Sequence, residues 1–175
     1  MNNIKKELKN SRIALIGMMG SGKTTVSFEL SSILNIENFD LDKIFVQKYN
    51  TSIVDFFDKF GEEKFRSEET NILKETLKKD KFILSCGGGI ILQEENRKIL
   101  FSKDIFSIYL KTSACVIYDR IKEDKTRPLL LVQNPKKEIE KLIQKRKKYY
   151  EAANLIIQTD NKNPREIAKE IYENI

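Results

Sequence analysis

Short apolar, β-branched runs alternate along the chain with longer stretches in which apolar residues recur every three or four positions. "RIALIG" (12–17), "NFDLD" (38–42), "FILSC" (82–86), "IFSIYL" (105–110) and "LIIQT" (155–159) have the length and composition of strands. Between them the spacing turns helical, with Val26, Leu30, Ile33 and Leu34 after the first run and Ile139, Leu142 and Ile143 before the last. Ile167, Ile171 and Ile175 then recur every four residues. Strands alternating with helices need crossover connections, so the pattern predicts an α/β chain with a mainly parallel sheet covered on both faces. No repeat, low-complexity tract or interdomain linker interrupts it, and residues 1–175 are expected to form one domain. One stretch, "KEDKTRPLLLVQNPKK" (122–137), is bracketed by Pro128 and Pro135 and reads as a mobile excursion.

The first apolar run leads into "GMMGSGKTT". Gly17, Gly22, Lys23 and Thr24 fit G-x-x-x-x-G-K-[ST], and Gly20 suits a loop whose backbone approaches a ligand closely. With a strand before it and a helical pattern after it, backbone N–H groups of Gly20, Ser21, Gly22, Lys23, Thr24 and Thr25 can converge on an anion. Lys23 would reach the β and γ phosphates and the Thr24 hydroxyl would ligate Mg²⁺. A nucleoside triphosphate is therefore the expected ligand; a glycine-rich turn without one is the alternative.

Composition narrows the chemistry further. Hydrophobic residues make up 40% and charged residues 33% of the 175, with no apolar run long enough for a membrane span. The segment "MNNIKKELKN" lacks the apolar stretch of a signal peptide, so a cytoplasmic location is expected. Cys86 and Cys115 stand in apolar surroundings and are expected to be buried, reduced thiols. The net charge of +6 fits either lysine-rich solvated helix faces or attraction of anionic ligands. Because the chain has no histidine, any general base must be a carboxylate, a lysine, a thiolate or a tyrosine.

Candidate groups for a phosphoryl acceptor are spread over the remaining chain. On a strand, Asp40 and Asp42 would project to one side at the sheet edge where ligands bind; Asp40 could face Mg²⁺ and Asp42 an acceptor hydroxyl. The competing reading is a solvated turn. In "GEEKFRSEE" (61–69), Arg66 and Glu69 continue the helical stripe of Leu73 and Leu77, either pointing into a pocket or forming an exposed pair. Arg146 shares a face with Ile139, Leu142, Ile143 and Tyr150, whereas Lys145 and Lys147 fall off it. Two inward arginines suit a carboxylate or phosphate held by forked hydrogen bonds. Gly87, Gly88 and Gly89 offer either bare backbone to a ligand or a plain loop. Arg127 is either a lid arginine that meets developing charge or a solvated loop residue.

Together, "GMMGSGKTT", "FDLD", "GEEKFRSEE", "CGGGI", "NR" (96–97), "TRPLL" and "RKKYYEAA" resemble the shikimate kinases in order and approximate spacing, from about residue 12 to 170. The resemblance implies a three-layer P-loop kinase fold of the adenylate-kinase type: a five-stranded parallel sheet flanked by helices, with a lid and a substrate-binding helical region. It also implies transfer of the γ-phosphoryl group of ATP to the 3-hydroxyl of shikimate, with Mg²⁺, in the route to aromatic amino acids. Asp42 would then hold the acceptor hydroxyl and Asp40 would reach Mg²⁺ through water. Arg66 and Arg146 would hold the shikimate carboxylate, Glu69 would steady Arg66, and Gly88 and Gly89 would give backbone contacts. Phe57 and Phe65 match aromatic positions around the ring, Arg120 and Pro164 match residues on the two faces of adenine, and Arg127 matches the lid arginine. The sequence departs from the commonest family pattern at Ser85 and Cys86 and in lacking a proline after Arg146.

Two other classes compete. Gluconate kinases typically carry a histidine after their acidic pair, absent here, and a nucleoside monophosphate kinase needs a base-recognition pocket that the sequence does not display. A nucleotide-dependent switch binding nucleic acid is suggested by "NKNP" (161–164) and "KRKK" (145–148), but the first ends in proline instead of a guanine-reading aspartate. The expectation is thus a monomeric enzyme acting on shikimate and ATP, with neither nucleic acid nor membrane as partner.

Overall fold

The computed structural model describes residues 12–123 and 132–175. Five parallel strands form one sheet in the order β2–β3–β1–β4–β5. They are β1 (Arg12–Ile16), β2 (Asn38–Asp40), β3 (Phe82–Ser85), β4 (Phe106–Lys111) and β5 (Leu155–Gln158). The helices are α1 (Lys23–Leu34), α2 (Leu41–Tyr49), α3 (Ile53–Thr76), α4 (Glu94–Leu100), α5 (Ala114–Ile121), α6 (Pro135–Tyr150) and α7 (Pro164–Glu173). A 3₁₀ turn, Ile90–Leu92, precedes α4.

Alternation along the strands sorts the core into two layers. Ala14, Ile16, Phe82, Leu84 and Tyr109 face α2, α3, α4 and the end of α6, where Phe45, Phe56, Phe65, Ile72, Leu73 and Tyr150 are buried. Ile13, Leu15, Ile83, Ile108 and Leu110 face α1 and α7 on the other side. Central strands covered on both faces must be apolar at every position, which is why "IALI" and "FIL" lack the alternation of a half-solvated strand. Leu15 pairs with Ser85 across β1 and β3, and Ile16 with Tyr109 across β1 and β4. The carboxyl ends of these strands therefore emerge side by side, each feeding a loop into one edge of the sheet.

Three expectations need correction. "NFDLD" is not a strand throughout: β2 ends at Asp40, whose Oδ1 accepts from the backbone N–H of Asp42 and Lys43 and so caps α2. This local capping outweighs the β pattern and places Asp42 in the first helical turn, off the strand. The excursion 122–137 ends early, because Pro135 is the first residue of α6, a position suited to its fixed φ and missing N–H, with Asn134 as N-cap. Cys86 is buried, but Cys115 is exposed on the first turn of α5; Ile33 likewise turns outward on α1. Among the described residues no helix is long and apolar enough to cross a membrane.

Within α3, Gly61 breaks the helical path at φ 80°, ψ 168°, which permits a kink between the half carrying Phe57 and the half carrying Arg66. The sheet itself should be the sensitive part of the fold. Leu84→Ala empties a fully buried position in β3 and should destabilise the protein by about 2–5 kcal/mol, read from urea unfolding. A loss well under 1 kcal/mol would contradict the packing described.

Candidate active site

Between β1 and α1, residues 17–22 turn back on themselves, with the Ser21 N–H donating to the Met18 carbonyl at 3.2 Å. Gly22 adopts φ 91° as the N-cap of α1, a left-handed conformation that an L side chain would strain. Lys23 is buried at the start of the helix, and its Nζ donates to the carbonyls of Gly17 and Met18 at 3.0 and 2.9 Å. Gly20 is held from outside by Arg120, whose Nη1 donates to its carbonyl at 3.2 Å. Ser21 is fully buried and its Oγ has no hydrogen-bond partner among the described residues. Thr24 and Thr25 are exposed on the first turn of α1.

Beside this loop stands an all-oxygen cluster. Thr24 Oγ1 donates to Asp40 Oδ2 at 2.6 Å and lies 3.5 Å from Ser85 Oγ. Because Oδ1 of Asp40 is committed to capping α2, the carboxylate is fixed in rotation and its second oxygen faces Thr24.

The glycine triplet brings the charged residues together. A Cβ built on Gly87 would stand 2.5 Å from Glu69 Oε1 and 3.0 Å from Asp42 Oδ1, and one on Gly89 would overlap the Arg66 guanidinium. Bare backbone here is thus a steric requirement. Arg66 Nη1 donates to Glu69 Oε2 at 2.8 Å, and its Nε and Nη2 donate to the exposed Glu62 at 3.2 Å. The guanidinium carbon lies 5.8 Å from the Phe57 ring and 5.1 Å from the Phe65 ring. Phe57 is half-buried, whereas Phe65 is buried against Phe45 and backs the wall. Arg146 is buried as its helical phase predicts; Nη1 donates to the Gly88 carbonyl at 3.2 Å, and Nε has no partner among the described residues. Lys145, Lys147 and Lys148 on the same turns are exposed.

Pro164 opens α7 behind an Asn163–Glu166 capping box. Asp160 Oδ1 accepts from the Ser113 N–H at 3.0 Å, joining the loop before Pro164 to the start of the helix that carries Arg120. Arg127 lies outside the described residues. Two participants escaped sequence reading: Tyr150, whose hydroxyl donates to the Gly88 carbonyl at 2.6 Å, and Glu62 on Arg66. Tyr150 gave an apolar-face signal only; Glu62 could have been found from its position one turn before Arg66.

A phosphate-binding loop, an oxygen cluster beside its threonine and two inward arginines gathered on a glycine triplet at the edge of a parallel sheet define a P-loop kinase for small molecules. The family model for shikimate kinase matches residues 19–175. A shikimate kinase from Enterococcus faecalis is 42% identical, with 93% of this chain and 97% of the relative covered. One from Thermodesulfovibrio yellowstonii is 38% identical, with 92% of each covered. The structure of a shikimate kinase from Acinetobacter baumannii in complex with shikimate superposes with a TM-score of 0.90 at 35% identity, covering 97% of this chain and 95% of that one. The chain belongs to the shikimate kinase family and is an ATP-dependent kinase.

Burial pushes the Glu69 carboxyl above its ordinary range; the charge and hydrogen bond of Arg66 pull it down, and Asp42 pushes it further up. A raised carboxyl means that folding favours the protonated form, so its stabilising contribution is complete below the unfolded-chain value of about 4.3 and is lost as pH rises through the folded value. Glu69→Gln cannot ionise and gives up the ion pair with Arg66, so its melting temperature minus that of the parent should fall as pH drops from about 8 to about 4. Thermal unfolding across that range checks the sign; a variant that gains on the parent on acidification would reverse it.

Proposed function

We propose that the chain transfers the γ-phosphoryl group of ATP to the 3-hydroxyl of shikimate, giving shikimate 3-phosphate and ADP on the route to aromatic amino acids. The observation that carries this reading is the convergence of Asp42, Arg66, Glu69 and Arg146 on one glycine triplet. A pocket with two arginines and a carboxylate suits an acceptor bearing both a carboxylate and hydroxyls.

In this scheme Gly20, Ser21, Gly22, Lys23, Thr24 and Thr25 enclose the phosphates, with Lys23 offsetting the charge that builds on the transferred group. Arg120 and Pro164 flank adenine, and Arg127 meets the phosphates from the lid. Arg66, steadied by Glu69, and Arg146 grip the shikimate carboxylate; Gly88 and Gly89 offer backbone contacts, and Phe57 and Phe65 wall the ring. Asp42 accepts the hydrogen bond of the reacting hydroxyl and aims it; a loose transition state asks for positioning more than for a strong base.

The oxygen cluster suits Mg²⁺. Thr24 and Asp40 offer hard oxygen atoms, and the described residues hold no group of three or more His, Cys, Asp or Glu that could cage a metal. Few protein ligands, supplemented by phosphate and water oxygens, is the arrangement that Mg²⁺ favours, and when bound it would neutralise phosphate charge. The outward lysines and the buried Arg146 support reading "KRKK" as one helix turn with no nucleic-acid role. We further place the protein in the cytoplasm as a monomeric single domain spanning 1–175, with the lid ending before α6, which begins at Pro135.

ADP release from ATP and Mg²⁺ should require shikimate and fail with gluconate or a nucleoside monophosphate. Turnover with either of those in place of shikimate would show that the acceptor pocket is misassigned. Asp42→Asn should lower kcat by about 10²–10⁴-fold while leaving the KM for ATP within about twofold; an unchanged kcat would remove Asp42 from the reaction.

A further inference from the structure

The pair Asn96–Arg97 has no place in the scheme above, yet its contacts are directed. Asn96 is fully buried in α4 and its Nδ2 donates to the Ile90 carbonyl at 3.1 Å. Arg97 Nη1 donates to the carbonyls of both Ile91 and Leu92 at 2.8 Å. These three consecutive carbonyls form the turn that follows the glycine triplet, and that turn is closed back on it by N–H donation from Ile90 to Gly87 at 3.2 Å and from Leu92 to Gly89 at 2.9 Å. On its other side, the Arg97 guanidinium carbon lies 4.4 Å from the centroid of the Tyr149 ring. The next residue, Tyr150, donates to the Gly88 carbonyl, which Arg146 also reaches. Arg97 thus touches both the turn leaving the triplet and the last turn of α6.

We infer that Arg97 is a positioning residue for the acceptor: it locks Gly88 and Gly89 in register with Arg146 by bracing the turn against Tyr149. The inference rests on the acceptor reading given above. A planar guanidinium can donate to two carbonyls in its own plane while its face lies flat on an aromatic ring; an ammonium has donors enough but is a compact point charge with no flat face to stack. Losing the brace lets the triplet shift relative to Arg146, and small displacements of a binding group cost affinity. Gly88 also packs against the backbone of Met18 and Met19 in the phosphate loop, but that loop is carried by β1 and α1, so the nucleotide should feel a shift of the triplet less than the acceptor does.

Steady-state kinetics of Arg97→Lys and Arg97→Ala in the full chain test this. The KM for shikimate should rise roughly tenfold in both, with kcat and the KM for ATP within about threefold of the parent. Guanidinium ion, on the order of millimolar, should restore the shikimate KM of Arg97→Ala alone. An unchanged shikimate KM, equal rises in both KM values, or absence of rescue would overturn the inference. If Arg97→Ala fails to fold, Tyr149→Leu, which keeps the hydrogen bonds and removes the ring face, should reproduce the shikimate shift; a parent-like value there would overturn it too. Arg146→Lys serves as the control for the underlying reading. A raised shikimate KM in that variant without one in the Arg97 variants discards the brace alone, and no change in any of them discards the acceptor pocket with it.

Discussion

The meeting of Asp42, Arg66 and Glu69 depends on one strand end that carries no side chains. At Gly87 and Gly89 the backbone leaving β3 runs so close to Glu69, Asp42 and Arg66 that even a methyl group would collide with them. Side chains from two helices can therefore meet over a few ångströms of main chain. The arrangement concentrates charge where water is scarce, and the Arg66–Glu69 pair is correspondingly costly to bury and strong once formed. Removing one partner would leave the other unpaired in the same place.

A second economy lies at Asp40. One carboxylate oxygen completes the N-terminus of α2 while the other faces the phosphate-loop threonine, so helix capping and the hydrogen bond to Thr24 are fixed by a single rotamer. The same capping decides where Asp42 sits. Placed in the first turn of a helix, Asp42 is oriented by α2 and benefits from the positive end of the helix dipole, which a strand position would not provide.

The layered fold was legible because its signals are local: buried strands read as unbroken apolar runs, and helices as three- and four-residue spacing. Helical phase turned Arg146 inward, as the structure has it, and left Arg66 and Glu69 open between an inward and an exposed pair, of which the structure takes the inward one. What failed was also physical. The β character of "NFDLD" lost to a capping bond within three residues, which no periodicity count registers. The Tyr150–Gly88 bond joins groups 62 positions apart, and a hydroxyl on an apolar helix face leaves no trace in the pattern. Exposed Cys115 shows that apolar neighbours in sequence need not be neighbours in space.

Arg66 and Arg146 belong to α3 and α6, helices separated in chain order by two of the five strands. An anion held by both joins elements that the chain connects only through long excursions, and whatever binds the native state alone adds to its folding free energy, by about 2.7 kcal/mol at one hundred times Kd. On the proposed reading, in which the acceptor's carboxylate is that anion, the lifetime of the folded molecule is coupled to supply: when its acceptor is plentiful the protein resists unfolding and proteolysis, and when the acceptor runs out it becomes easier to clear.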